Sequence, residues 1–249
     1  MHSKRDFPSV QPHVSKTLVD LTVKWITISE PLPFHDRIQA AAARVPAAPK
    51  APVGTIAALR EEARHCTRCD IHCMATQTVF GEGPVDAEVM VVGEQPGDQE
   101  DLAGEPFVGP AGKVFDEAIL AAGIDRSRLY VTNAVKHFKY EPRGKRRIHQ
   151  KPNMGEVRQC RWWLTQELEL VKPKLVVAMG ATALFSLTDM RQRLEDVRGQ
   201  PIAMQEGRTL FVTVHPSYLL RIPDEGRRAE ELARFRQDIQ SIHGLVHEL

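Results

Sequence analysis

The sequence predicts an α/β fold, a three-layer α/β/α sandwich with a central four-stranded parallel sheet. Four short apolar runs are rich in β-branched residues and apolar at both alternate positions, which is typical of parallel strands buried on both faces. These runs are Glu88–Gly93, Leu129–Thr132, Lys174–Gly180 and Thr209–His215. Segments with helical spacing lie between them, and alternating strands and helices build a parallel sheet with helices on both faces.

The helices are predicted from their spacing and from the glycine and proline residues around them. They are Ala111–Ala122, Met154–Val171, Ala181–Leu187 and Arg227–Ile242. In such folds, ligands bind beyond the C-terminal ends of the strands. The candidate functional residues are therefore those that directly follow each run, Glu94–Gly97, Asn133–Lys139, Gly180–Thr182 and His215–Leu219.

Composition excludes several classes of protein. The 249 residues include 33 Lys+Arg and 32 Asp+Glu, so bulk positive charge cannot hold a nucleic acid, although a local basic patch can. With 26% charged and 42% hydrophobic residues, wholesale disorder is not expected. No apolar run approaches the roughly 20 residues that cross a bilayer, and no apolar signal-peptide stretch follows the N-terminus. We expect a cytoplasmic monomer with no membrane partner.

The distribution of glycine and proline predicts a domain boundary. Residues 1–52 contain 7 of the 17 prolines and none of the 16 glycines. A packed α/β domain needs glycine at its turns, so this stretch is interpreted as an appendage or linker of unknown role. Residues 53–249 are predicted to form the folded domain, which is long enough to bury a core of its own.

The four cysteines indicate a metal site. Cys66, Cys69 and Cys73 form a C-x2-C-x3-C cluster, and Cys160 stands alone later in the chain. In a reducing compartment, such cysteines are more often metal ligands or free thiols than disulfides. Zinc and a [4Fe–4S] cluster are both compatible with thiolate ligands, and the spacing alone does not choose between them. Possible nitrogen ligands are His65, His72 and His137.

The segments that follow the first strand contribute a carboxylate and an aromatic residue to the predicted site. The sequence GEQPG at 93–97 lacks the G-x-G-x-x-G pattern, so no nucleotide cofactor is expected. Glu94 places a carboxylate at the mouth of the site, where it can stabilise a developing positive charge. The glycine-rich loop Gly104–Gly112 contains one aromatic residue, Phe107, which is either a core residue or a platform for a base.

A basic segment follows the second strand. Residues 136–151 contain seven Lys and Arg and one acidic residue, with Phe138 and Tyr140 between them. An ordinary solvated loop is the default interpretation of such a charge run. A basic loop with aromatic residues at the functional edge of a sheet is better explained as a contact surface for a nucleic-acid backbone. After the fourth strand, a proline turn holds His215, and an arginine, Arg221, follows.

Together these segments resemble the uracil-DNA glycosylase superfamily, and most closely its UdgX type, over about residues 58–242. VGEQPGDQED resembles the first active-site motif, although iron–sulfur family-four enzymes usually have Ala at the position of Gln95. GEPFVGPAG is similar to the uracil-stacking loop, TNAVKHFK to the uracil-reading segment and HPSYLLR to the HPS motif. KRRIH, Lys145–His149, is the mark of the UdgX type.

The resemblance implies a role for each motif residue. Implied catalytic residues are Glu94, His149 and His215. Implied substrate-binding residues are Gln95, Gly97, Phe107 and Asn133, and implied DNA contacts are Lys145, Arg146, Arg147, Ser217 and Arg221. It also implies that a [4Fe–4S] cluster is bound by Cys66, Cys69, His137 and Cys160, with zinc as the alternative and Cys73 as a spare thiol.

The resulting functional hypothesis is recognition of uracil in DNA, with single strands favoured because extruding a base costs least there. The glycosidic bond is cleaved and the sugar C1′ is trapped on His149, which gives a stable protein–DNA adduct. Alternatively, His149 binds a phosphate and the enzyme turns over as a conventional glycosylase. A non-catalytic DNA-binding module with a structural metal site is the second alternative.

Overall fold

The computed structural model describes residues 54–204 and 207–248. The predicted appendage, residues 1–52, lies outside the described residues. Within the described part of the chain, no helix is long and apolar enough to span a membrane.

Seven helices and seven strands make up the described fold. The first half contains α1 (Ile56–Ala63), β1 (Val89–Gly93), α2 (Asp98–Ala103), α3 (Pro110–Ala121), β2 (Leu129–Asn133), β3 (Tyr140–Arg143) and β4 (Arg146–His149). The second half contains α4 (Met154–Val171), β5 (Leu175–Met179), α5 (Ala181–Thr188), β6 (Pro201–Ala203), β7 (Thr209–Thr213), α6 (Pro216–Leu220) and α7 (Glu225–Glu248). Short 3₁₀ turns occur at Asp70–Cys73, Arg126–Arg128 and Leu194–Asp196.

The central sheet has the order β2-β1-β5-β7-β6. The first four strands run parallel, whereas β6 pairs antiparallel with β7 at the edge. The predicted α/β class and its parallel sheet are therefore confirmed, but the sheet has five strands rather than four. Strand β6 has only three residues, two of them exposed, so it lacks the apolar run that marked the other strands.

Alternate residues of the sheet contribute to two separate cores, which makes the fold three-layered. On one face, Met90 and Val176 pack in the same core as Leu59 of α1, Trp163 of α4 and Leu184 of α5. On the other face, residues such as Val91, Val177 and Phe211 share a core with α3, α6 and α7. Burial on both faces explains why the parallel strands are apolar at every position.

The basic segment that was predicted as a loop is a β-hairpin for half its length. Strands β3 and β4 pair antiparallel, and Gly144 lies in the turn with φ +59°. The segment before the hairpin differs further from the prediction, because Lys136 is completely buried rather than solvated. Only part of the positive charge in residues 136–151 therefore faces solvent.

Candidate active site

A cavity of about 440 Å³ lies at the C-terminal ends of the parallel strands, where the fold class predicts it. Nine of the residues predicted as catalytic, substrate-binding or DNA-binding line this one cavity. They are Glu94, Gln95, Gly97, Phe107, Asn133, His149, His215, Ser217 and Arg221. Lys145, Arg146 and Arg147 do not line it, and the predicted metal ligands lie elsewhere.

Glu94 and His149 face each other in the cavity. The Nε2 atom of His149 lies 3.4 Å from Oε1 of Glu94. The other carboxylate oxygen, Oε2, accepts a 2.5 Å hydrogen bond from the hydroxyl of Thr182. Burial lowers the pKa of His149 below its ordinary value, and the negative charge of Glu94 opposes this effect. The result is a neutral imidazole next to a carboxylate whose orientation is fixed.

Thr182 was among the candidate residues after the strands, but no role was predicted for it. It lies in the segment Gly180–Thr182 that follows the third parallel strand, so its position satisfied the strand-end rule. A threonine carries no chemical signal of its own, and its contact with Glu94 joins residues 88 positions apart.

Phe107 and Asn133 approach each other closely at the end of β1. A Cβ atom on Gly93 would collide with the amide oxygen of Asn133 and lie 2.8 Å from the ring of Phe107, so only glycine fits between them. Phe107 adopts φ +60°, an uncommon conformation for a bulky residue that points to a functional constraint. Its ring lies 5.9 Å from that of His215. Aromatic rings and an amide thus converge on one side of the cavity.

The tautomer of His215 follows from its hydrogen bonds. The backbone N–H of Ser217 donates to Nδ1 at 3.2 Å, so Nδ1 acts as the acceptor. Burial lowers the pKa of His215 to about 4, and the ring is therefore neutral at pH 7. A neutral ring with an unprotonated Nδ1 carries its proton on Nε2. His215 can therefore donate one hydrogen bond from Nε2 without carrying a positive charge.

A buried carboxylate shapes the two loops beside the cavity. Glu100 accepts hydrogen bonds from the backbone N–H groups of Gly97 and Gly109, at 3.1 and 2.9 Å. It thereby joins the GEQPG turn to the loop that carries Phe107. Glu100 was not predicted as a site residue, because a carboxylate in an acidic helical segment gives no sign that it is buried.

Gln95 holds both ends of the hairpin. Its side-chain amide donates to the backbone carbonyls of Lys139 and Gln150, each at 3.1 Å, and its Oε1 accepts from the N–H of Lys139 at 3.2 Å. These two residues flank the hairpin on either side. Gln95 lines the cavity as predicted, but its polar atoms are engaged by protein backbone.

Arg147 fixes the hairpin to α2. Its guanidinium donates to the carboxylates of Asp98 and Asp101, both at 2.5 Å, and to the hydroxyl of Thr76 at 3.0 Å. The same group lies over the ring of Tyr140, 5.2 Å from its centroid. The guanidinium predicted to contact DNA is thus bonded within the protein, whereas the side chains of Lys145 and Arg146 are exposed.

The predicted metal ligands differ in burial from the spare cysteine. Cys66, Cys69, Cys160 and His137 are all at least nine-tenths buried, whereas Cys73 is exposed. Burial raises the pKa of Cys160 to about 12 and that of Cys69 above its ordinary value. Two N–H groups point at the buried sulfurs, the indole of Trp163 at Cys66 (3.0 Å) and the backbone of Lys136 at Cys160 (3.2 Å).

One atom of His137 has no partner. Its Nδ1 is buried and makes no hydrogen bond, while its Nε2 lies 2.9 Å from the hydroxyl of Thr78. Buried polar atoms without a partner are rare in proteins and call for an explanation such as a bound ion. Among the described residues, no group of three or more His, Cys, Asp or Glu converges enough to hold a single metal ion.

A buried ion pair connects this region with Asn133. The ammonium of Lys136 lies 2.5 Å from Glu167, and both side chains are completely buried. It also donates to the backbone carbonyl of Asn133 at 2.7 Å and to Thr132 at 2.6 Å. Glu167 receives further hydrogen bonds from Tyr130 and from the backbone of Gly81.

Comparison with known proteins identifies the family of this chain. The model of the uracil DNA glycosylase superfamily matches residues 80–240. The type-4 uracil-DNA glycosylase of Thermotoga maritima is 37% identical over 188 residues, which cover 75% of this chain and 92% of the relative. The type-4 enzyme of Pyrobaculum aerophilum is also 37% identical over 188 residues, covering 71% of this chain and 91% of the relative. The UdgX type stays a prediction. The family model spans most of the chain and the relatives are matched over nearly their whole length, so the chain belongs to the uracil DNA glycosylase superfamily.

Proposed function

We propose that the protein removes uracil from DNA and traps the exposed sugar on His149. The observation that carries this proposal is the pairing of His149 with Glu94 at 3.4 Å, inside the cavity that also contains Phe107, Asn133 and His215. The relatives named type-4 uracil-DNA glycosylase support uracil excision. Covalent trapping is the further step that the His149 geometry supports.

Uracil binding would use the converging amide and aromatic groups. Asn133 lines the cavity at the end of a buried strand, and its amide can pair with the edge of a uracil. Cytosine presents a donor where uracil presents an acceptor, so an amide in one orientation separates the two bases. Phe107 would stack on the extruded base, and the exposed Leu220 at the cavity rim is suited to fill the gap left in the DNA.

Bond cleavage would use a neutral hydrogen-bond donor on one side of the bond and a negative charge on the other. As the bond between C1′ and the base breaks, its electron pair leaves with uracil and the sugar becomes an oxocarbenium-like cation. The Nε2–H of neutral His215 would stabilise the developing uracil anion through a hydrogen bond. Glu94 would stabilise the cation through its charge, and Thr182 keeps that carboxylate in place.

The trapping step would place His149 where a water acts in a conventional glycosylase. A neutral imidazole has a lone pair that can form a carbon–nitrogen bond with C1′. The ring then loses its N–H proton, which Glu94 can accept and which finally resides on the released uracil. Because an alkylated imidazole is a poor leaving group, each protein molecule would react once.

We propose that Cys66, Cys69, His137 and Cys160 hold a [4Fe–4S] cluster. The residues fit such a group, because the buried Nδ1 of His137 lacks a partner and the three thiols are buried. In a cluster each ligand binds a different iron atom, so the ligands need not converge on one ion as a zinc site requires. When bound, the cluster would supply a rigid connection between the segments that carry its ligands. Of these segments, residues 133–137 also carry Asn133.

DNA would approach over the hairpin. The exposed Lys145 and Arg146 are available for phosphates, and Arg221, which donates to Ser217 at 3.1 Å, lies at the cavity rim. Arg147 would instead hold His149 near Glu94 through its contacts with α2.

A denaturing gel tests the proposal. We expect the protein to give a heat-stable shifted band with uracil-containing single-stranded DNA, but not with thymine-containing DNA of the same sequence. His149→Ser should abolish the band. Steady turnover to free abasic product by the wild type would refute trapping and leave a conventional glycosylase, while equal binding of both DNAs without cleavage would refute the glycosylase itself.

A further inference from the structure

The two ring nitrogens of the buried His137 have different environments. Nε2 lies 2.9 Å from Oγ1 of Thr78, whereas Nδ1 is buried without any hydrogen-bond partner. Which nitrogen carries the proton decides which one has a free lone pair. That choice is made by the residue that faces Nε2.

The direction of the Thr78 hydrogen bonds is fixed by a third group. Its hydroxyl donates to the backbone carbonyl of Ala63 at 2.8 Å. A hydroxyl has only one hydrogen, so toward His137 it can act only as an acceptor. The proton of the neutral His137 ring therefore resides on Nε2, and the lone pair of Nδ1 is free.

We propose that Thr78 is a positioning residue of the cluster, which fixes the His137 tautomer so that iron is bound through Nδ1. The proposal rests on the cluster ligands proposed above. Metal-bound histidines commonly donate their other N–H to a fixed acceptor, which orients the ring and sets the tautomer. Thr78 supplies that acceptor, and the partnerless Nδ1 is the atom left to bind the metal.

Thr78 also connects two segments that carry ligands. The carbonyl of Ala63 that receives the Thr78 hydroxyl also accepts the backbone N–H of Cys66 at 3.0 Å. A purely structural role for Thr78, in holding the end of α1, is therefore the competing explanation. It predicts the same defect whatever residue occupies position 137.

Two substitutions of Thr78 give the first test. Thr78→Val keeps the shape of the side chain but removes the hydroxyl, and Thr78→Ser keeps the hydroxyl. The full-length protein is purified without oxygen, and its iron, sulfide and visible absorbance are measured while a chelator removes the cluster. Removing such a partner usually costs about 10- to 100-fold in metal affinity. We expect this loss to appear as correspondingly faster cluster removal in Thr78→Val, and removal close to the wild-type rate in Thr78→Ser.

A double-mutant cycle separates tautomer control from a structural role. In a His137→Cys background, the ligand is a thiolate, which has no tautomers. Thr78→Val should then have no further effect on cluster loss. An equal acceleration in both backgrounds would overturn the proposal. So would a crystal structure of the loaded wild type with iron on Nε2 of His137.

The same measurements distinguish a failure of the proposal from a failure of the ligand set. A wild-type protein without iron, or a His137→Ala protein with an unchanged cluster, would overturn the ligand set and this proposal with it. If His137→Ala loses the cluster while Thr78→Val keeps it as well as the wild type does, the ligand set stands and only the role of Thr78 is wrong.

Discussion

Replacing Arg147 with methionine removes the guanidinium that joins the hairpin to α2 while keeping most of the aliphatic stem. Asp101, whose side chain is completely buried, would lose its cationic partner and keep the backbone N–H of Thr76. Asp98 would lose a contact made at 2.5 Å. We expect the hairpin, and with it His149, to move away from Glu94.

The size of the effect follows from these contacts. Hydrogen bonds to charged groups contribute about 1.5 to 3 kcal/mol each, and two such bonds join Arg147 to carboxylates. The Asp98 side chain is 51% exposed, so solvent weakens its contact with Arg147 much more than the contact of the completely buried Asp101. We therefore expect hairpin docking to lose about 2 to 3 kcal/mol. Since about 1.4 kcal/mol corresponds to a factor of ten, adduct formation should slow by up to about 30- to 150-fold.

The assay is single-turnover adduct formation with saturating uracil-containing single-stranded DNA, resolved on a denaturing gel. Arg146→Met is the matched control, because it removes the same charge from an exposed neighbour on the same strand. We expect Arg146→Met to weaken DNA affinity in a salt-dependent way without slowing the step at saturation.

The opposite pattern would refute this reasoning. Suppose that Arg147→Met formed the adduct at the wild-type rate at saturating DNA, while the slope of log affinity against log salt concentration became about one unit shallower. Arg147 would then be a phosphate contact. The internal contacts seen in the structure would then have to open when DNA binds.

Three further outcomes are expected. The rate of adduct formation should fall in acid as His149 becomes protonated. The fall should come only below the ordinary histidine pKa, because burial lowers the pKa of His149 more than Glu94 raises it. A rate profile from pH 4 to 8 checks this, and a rate that is already halved near or above pH 6.5 would contradict it. Lys136→Met should cost about 3 to 5 kcal/mol in the free energy of unfolding, measured with denaturant, because it leaves the Glu167 carboxylate buried and unpaired. The double variant Lys136→Met/Glu167→Gln should recover most of that loss, because the neutral amide removes the unpaired charge and still offers an oxygen to Tyr130 and Gly81. Equal losses in the single and double variants would show that the unpaired charge is not the cause. Cys73→Ser should leave the visible absorbance and iron content unchanged, because Cys73 is exposed; bleaching would make it a ligand.

The elements with a strong local pattern were predictable from the sequence. The predicted helix at 154–171 matches α4 in both bounds. The side chains of Asn153 and Glu156 each bond the other's backbone N–H and define its start, and Lys172 ends it in the left-handed conformation. Strand β6 and the hairpin were not predicted. Their short segments, with Pro142 and Pro201 among their residues, lack both an apolar run and strict alternation.

The residues that line the site could be predicted, but the contacts that hold them in place could not. The strand-end rule brought Glu94, Asn133 and His215 to one cavity, because parallel strands end at one edge of the sheet. The contacts of Thr182 and Arg147 join residues tens of positions apart, and no local pattern marks them. Such contacts depend on how the layers pack, which periodicity does not encode.

Those contacts bear on the choice between trapping and turnover. Both carboxylate oxygens of Glu94 have a neighbour, Thr182 at Oε2 and His149 at Oε1. His149 therefore competes with a nucleophilic water for Oε1, and it belongs to the hairpin that Arg147 joins to α2. Loosening the hairpin with Arg147→Met should therefore raise the fraction of free abasic product relative to adduct. If uracil release and adduct formation instead decline together, hairpin docking is needed for cleavage itself, and the partition between products is set elsewhere.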